Sequence, residues 1–228
     1  MRRIVRRAAC VAGSAVLTVA GTGCGAERAA APTPAQRLAA AALSEDDVPA
    51  GFLPAENAAM FHGLRPADPD CRALFSFADA FADASALGAA PRADVAFYQV
   101  DPGGSVAEHL LWAPPVPAHE FLLGVRRAAA GCDRIMMLTG SYTMLLRRVP
   151  LAVRGVGEES YTVRYAGRAG LRHRFHLDIV AARLAGRLLV LTAETLLSPR
   201  KTHDIARRIA ERAVGKLRGG PPGGASIG

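Results

Sequence analysis

No apolar run in this 228-residue chain approaches the roughly 20 residues that a membrane-crossing helix needs. Catalytic signatures are missing as well. There is no G-x-S-x-G elbow, and the glycine-rich segments carry no P-loop lysine. His119-Glu120 begins a zinc-protease pattern, but position 123, where a second histidine belongs, is Leu123. His62, His109 and His203 are isolated, and His173 and His176 are three apart in a strand, so they face opposite sides. Glu158-Glu159 are adjacent and cannot flank a glycosidic bond; they read as a solvated, capping turn. Neither Cys71 nor Cys132 has a His or second Cys at ligand spacing, so the sequence points to no metal, no cofactor and no catalytic residue. Lysine occurs only at Lys201 and Lys216, beside many alanines and arginines, a compositional bias without functional meaning.

What is present begins at the N-terminus. Arg2, Arg3, Arg6 and Arg7 make a basic start, an apolar stretch runs from Ala8 to Ala20, and Gly21-Thr22-Gly23-Cys24 follows. A basic region, a short apolar region and small residues up to a cysteine are the parts of an export signal. The segment resembles the bacterial lipoprotein signal, with Gly23 and Cys24 at its last two positions and Gly21 where leucine is usual. That resemblance implies cleavage before Cys24 and a diacylglycerol on its thiol, placing the domain on the outer face of the cell membrane. Two acyl chains anchor stably where one is marginal. Secretion with cleavage nearby is the alternative. Residues 1–23 then form a signal peptide and 24–39 a flexible tether, within which GAERAAAPTP is small, polar and proline-bearing. Residues 218–228 read as a disordered tail.

Export changes the charge argument. The formal net charge is +8, and loss of residues 1–23 removes four arginines and no acid, which halves it. The basic precursor therefore gives no reason to expect nucleic acid as a partner. Export also settles the cysteines: Cys10 lies in the signal, Cys24 ends it, and the remaining even pair reads as a Cys71–Cys132 disulfide. Closing that 61-residue separation stabilises the fold by about 4 kcal/mol in the chain-entropy treatment.

Half the residues are hydrophobic, enough for one domain with a real core over residues 40–217. A short helix is expected over Pro34–Leu43. From Cys71 the apolar residues Leu74, Phe75, Ala78, Ala82 and Ala86 keep helical period, with Phe77 and Phe81 widening the stripe. Ala118, Phe121, Leu122, Val125, Ala129 and Cys132 do the same over Pro117–Gly131, so both cysteines lie in line with core-facing stripes. A last helix is expected from Pro199, capped by Ser198, to Leu217. Strands are expected over 93–100, 105–112, 134–138, 141–149, 160–165, 172–184 and 187–195, joined mostly by tight turns. Leu188-Leu189-Val190-Leu191 is apolar on both faces, as in a central strand covered on both sides. This is the pattern of an α+β domain: a central antiparallel sheet of about six strands with two to three packed helices.

Several short segments carry a resemblance. They are Ala42-Leu43-Ser44-Glu45-Asp46-Asp47-Val48-Pro49-Ala50-Gly51-Phe52; Asp70-Cys71-Arg72-Ala73-Leu74; the helix ending Ala129-Ala130-Gly131-Cys132; Gly155-Val156-Gly157-Glu158-Glu159-Ser160; and the hairpin at Ala185-Gly186 before a terminal helix. In this order the chain resembles the actinobacterial PknH-like extracellular sensor domain family, found on receptor kinases and on stand-alone lipoproteins. The resemblance implies a central antiparallel sheet and a cleft for an unidentified ligand. The chain departs from that family in having one candidate disulfide instead of two, and no kinase.

The sequence thus leads to a non-catalytic, lipid-anchored extracytoplasmic domain that binds a small molecule, lipid or envelope component. Trp112, beside Ala113-Pro114-Pro115-Val116-Pro117, is the candidate cleft residue, with a core anchor at a strand end as its other reading. An envelope hydrolase and a structural or protein-interaction lipoprotein are the competing classes.

Overall fold

The computed structural model describes residues 31–56, 66, 68–79, 90–101, 103–139, 142–153, 155–169, 173–197 and 205–219. The expected signal segment with Cys24, residues Phe81, Ala82 and Ala86, the expected Ser198 cap with Pro199, His62, His203, and residues 220–228 lie outside them, as does the side chain of His173.

The chain enters through α1, Pro34–Ala41. Thr33 caps it: its hydroxyl accepts from the Gln36 amide, and the Gln36 side chain accepts from the Thr33 amide. The helix straddles the expected domain boundary at residue 40, and Leu38, 1 % exposed, belongs to the core. A single 3-10 turn, Glu45–Asp47, precedes the two-residue strand β1, Leu53–Pro54. Then come α2 (Pro69–Asp79), β2 (Arg92–Gln99), β3 (Gly104–Trp112), α3 (Pro115–Gly131), β4 (Arg134–Thr139), β5 (Tyr142–Val149), β6 (Glu159–Ala169), β7 (His173–Leu184), β8 (Arg187–Leu197) and α4 (Ile205–Gly219). All eight strands form one antiparallel sheet in the order β1-β2-β3-β8-β7-β6-β5-β4. The expected α+β class stands. The sheet is wider than the roughly six strands expected: all seven expected stretches join it, and β1 adds an edge too short to show alternation; four helices accompany it among the described residues.

Strand alternation sends successive side chains to opposite faces, so each strand feeds two cores. One face packs Leu111, Ile135, Leu146, Tyr165, Leu177, Ile179, Leu188 and Val190 under α2 and α3. The other packs Phe97, Val106, Leu110, Val180, Leu189 and Leu191 under α1 and α4. β8 is the fourth of the eight strands from the β1 edge and borders β3 and β7, and its residues 188–191 are buried on both faces. The doubly apolar run therefore marks the central strand, as its sequence indicates. The β7–β8 turn puts Ala185 at φ 49° and Gly186 at φ 71°, the two positive values of a type I′ hairpin.

The helix pair α2–α3 is held by three devices. Gly124 admits the Phe77 ring, since a Cβ there would meet a ring carbon at 2.6 Å. Phe77 and Phe121 meet edge to face at 5.4 Å. Cys71 and Cys132 form a disulfide across Cα atoms 4.9 Å apart, joining the start of α2 to the end of α3. Its surroundings tie it to the sheet. The buried Tyr165 hydroxyl donates to the Cys132 carbonyl at 2.7 Å, and Arg148 donates to the Ala129 carbonyl at 2.7 Å, satisfying an orphan carbonyl of α3. Replacing both cysteines (Cys71→Ala with Cys132→Ala) is expected to cost about 4 kcal/mol in urea unfolding; a loss under roughly 1 kcal/mol would show that loop closure is not what the bridge supplies.

Candidate functional site

The 3-10 turn is short because Ser44 and Asp47 close on each other: the Ser44 amide and hydroxyl both donate to Asp47 Oδ2, at 2.9 and 2.7 Å. This fixes a carboxylate facing α4. Lys216 Nζ donates to the same oxygen at 2.6 Å and to the Ala42 carbonyl at 2.6 Å, and Arg212 Nε lies 3.5 Å from the other oxygen. Partial burial pushes the Asp47 pKa up, but the hydrogen bonds from Lys216 and Ser44 outweigh it and hold the carboxyl below its ordinary value. Between the turn and α4 opens a groove of about 860 Å³. Asp46, Asp47 and Glu211 give it negative charge, and Arg208, Arg212 and Lys216 positive charge; Val48, Pro49 and Ile209 are its apolar part. Such a ring suits a polar ligand carrying charges of both signs.

Beneath this corner sits Glu108, at the position of β3 between Val106 and Leu110 on the α1/α4 face. It is 0 % exposed. Its Oε2 accepts from the Leu43 amide at 2.6 Å, and Oε1 has no partner among the described residues. Burial raises its pKa to about 7, against the opposing pull of the Leu43 amide and of Lys216. The bond locks the exit of α1 onto the sheet across 65 residues of sequence. Sequence reading passed over this residue. The available signal was one carboxylate in an otherwise apolar strand run, but only the register shows which face it takes.

A second groove of about 420 Å³ lies between α3 and β6, lined by Leu122, Leu123, Arg126, Glu159, Ser160, Tyr161 and Thr162. Its one acid, Glu159, is already engaged, and so is the neighbouring Glu158. His119 Nδ1 stands 2.9 Å from both Glu159 oxygens. Glu158 accepts from Arg183 at 2.7 Å and from the Ala185 amide at 2.9 Å, so it caps the β7–β8 turn. Glu158 thus clasps the turn, the capping role expected of the pair, while Glu159 is taken up by His119 and Arg183.

His109, isolated in sequence, is not isolated in space: its Nδ1 lies 2.9 Å from Asp94 Oδ1 across the β2–β3 pair, and it is buried. That pairing needs the hairpin register, which local spacing does not reveal. No group of three or more metal-ligating side chains gathers among the described residues. Trp112 ends β3, is 39 % exposed and lies 5.8 Å beneath the Arg187 guanidinium, which also donates to the Leu217 carbonyl of α4. Neither groove above includes it.

Glu108 makes stability depend on pH in a definite direction. Folded, it keeps its proton to about pH 7; its ordinary value is 4.5. The folded state therefore binds the extra proton between those values. Its stabilising contribution is complete below pH 4.5 and lost as pH rises through 7, worth about 3 kcal/mol. Glu108→Gln should flatten this slope when unfolding is compared at pH 5 and pH 8. An unchanged slope would mean that Glu108 is ionised in the fold.

No family model matches the sequence, and no curated protein does. A solved structure does match. The chain shares its fold with the extracellular domain of PknH from Mycobacterium tuberculosis, at TM-score 0.58 and 14 % identity, over 83 % of this chain and 98 % of that one.

Proposed function

We propose that this chain is a lipid-anchored extracytoplasmic domain with a sensor-like, non-catalytic role, binding a small molecule, lipid or envelope component in the groove between α4 and Ser44–Pro49. The reading is carried by the fold shared with an extracellular domain across nearly the whole of that domain. The segment resembling an export signal that ends at Cys24 supports this location and attachment. The groove is favoured over its neighbour at α3 because Asp46 and Arg208 line it beside the Asp47–Lys216 pair, whereas the one acid lining the α3 groove, Glu159, is held by His119 and Arg183. The acid with a raised pKa near the groove, Glu108, is sealed beneath it, which suits a structural clasp better than proton transfer to a substrate.

Two measurements test the two halves. A radioactive fatty acid should label the protein in cells, and Cys24→Ala should abolish the label; a label that persists would remove the anchor. Native mass spectrometry of protein taken from its own membrane should find a co-purifying molecule that is absent from Arg208→Glu/Arg212→Glu. Equal occupancy in that variant would move the binding site elsewhere.

A further inference from the structure

The α1/α4 side of the sheet is only half roofed. α1 and α4 lie over β2, β3, β7 and β8. Toward β4 and β5 the same face is open: Arg134, Met136, Thr143, Leu145 and Arg147 are all exposed. Met136, 62 % exposed, and Leu145, 38 % exposed, stand opposite each other in the β4–β5 register. Around this apolar pair the face carries Arg134, Arg147, Arg164, Arg168 and Arg174. Its one carboxylate on β4–β7, Asp178, is taken by Arg164 in a two-point pair at 2.6 and 2.7 Å.

The arginines are placed against one another. Arg134 is the direct cross-strand partner of Arg147, and Arg168 of Arg174. Like charges directly opposite in a sheet destabilise it. Arg134, Arg147 and Arg174 make no ion pair among the described residues. Arg134 facing Arg147, beside two exposed apolar side chains and with Arg174 on the same face, is an arrangement complementary to an anionic surface with an apolar interior. Guanidinium groups take phosphate by paired hydrogen bonds, and their stems can lie along apolar surface while Met136 and Leu145 meet the acyl boundary.

We propose that this open sheet face is a docking surface for anionic phospholipid headgroups, laying the domain against the membrane. From the proposed function it takes only the location beside a membrane, and it holds whether or not Cys24 is acylated.

The test uses the full chain carrying Cys24→Ser, sedimented with vesicles of phosphatidylglycerol or of phosphatidylcholine. Binding is expected to phosphatidylglycerol alone and to weaken with salt. Arg147→Gln/Arg174→Gln should weaken it about 30-fold, at the usual worth of two basic residues near an anionic surface. Arg126→Gln/Arg127→Gln on α3, at the other face of the sheet, should leave it unchanged. Because Arg147→Gln breaks up the Arg134–Arg147 like-charge pair and Arg174 makes no ion pair among the described residues, melting temperature should hold or rise, so lost binding would not reflect unfolding. Equal binding to both vesicle types, no effect of the open-face changes, or an equal effect of the α3 changes would each overturn the proposal. None of these results bears on fatty-acid labelling at Cys24, so the two readings fail separately.

Discussion

Burial of β8 on both faces is the constraint on which the rest of the structure depends. Leu188 and Val190 support the layer of α2 and α3, and Leu189 and Leu191 support α1 and α4. A one-residue slip of β8 would exchange these two sets and ruin both cores. The flanking strands inherit this. β3 must place Glu108 in the α1/α4 core, where it is tolerated because it satisfies the Leu43 amide and thereby fixes the first helix. Farther from β8, the strands β4–β6 are roofed on one side only, which leaves the arginine-rich face open.

Much of this could be read from the residues, because its causes are local. The unbroken apolar run at 188–191 identified the central strand, and the periodic stripes of α2 and α3 identified their buried faces. The two cysteines fell in line with those stripes, and the bridge joins them. What escaped was set by pairing across long separations. Glu108 reaches Leu43, His109 reaches Asp94, and Arg134 meets Arg147 only once register is known. β1 is too short to alternate. The start of α3 at Pro115, two residues before the one expected, reflects two prolines, Pro115 and Pro117, that both fit a first helical turn, with Pro114 at the cap.

The functional surfaces follow from the same layout. α4 is the hinge between them: its inner stripe closes the second core, its outer charges form one wall of the proposed groove, and its cover ends where the open face begins. The disulfide lies on the other side of the sheet, between α2 and α3. It stiffens the layer opposite both proposed surfaces, so the groove and the open face are borne by a backing whose own geometry is covalently fixed.

The most direct test of the central role of β8 is native-state hydrogen exchange. The amides of residues 188–191 should exchange only through global unfolding, with the full free energy of the domain, while those of β4 and β5 exchange through smaller openings. Protection of the β4–β5 hairpin equal to or above that of β8, or early exchange at Leu189 and Val190, would contradict an account in which both cores rest on this strand.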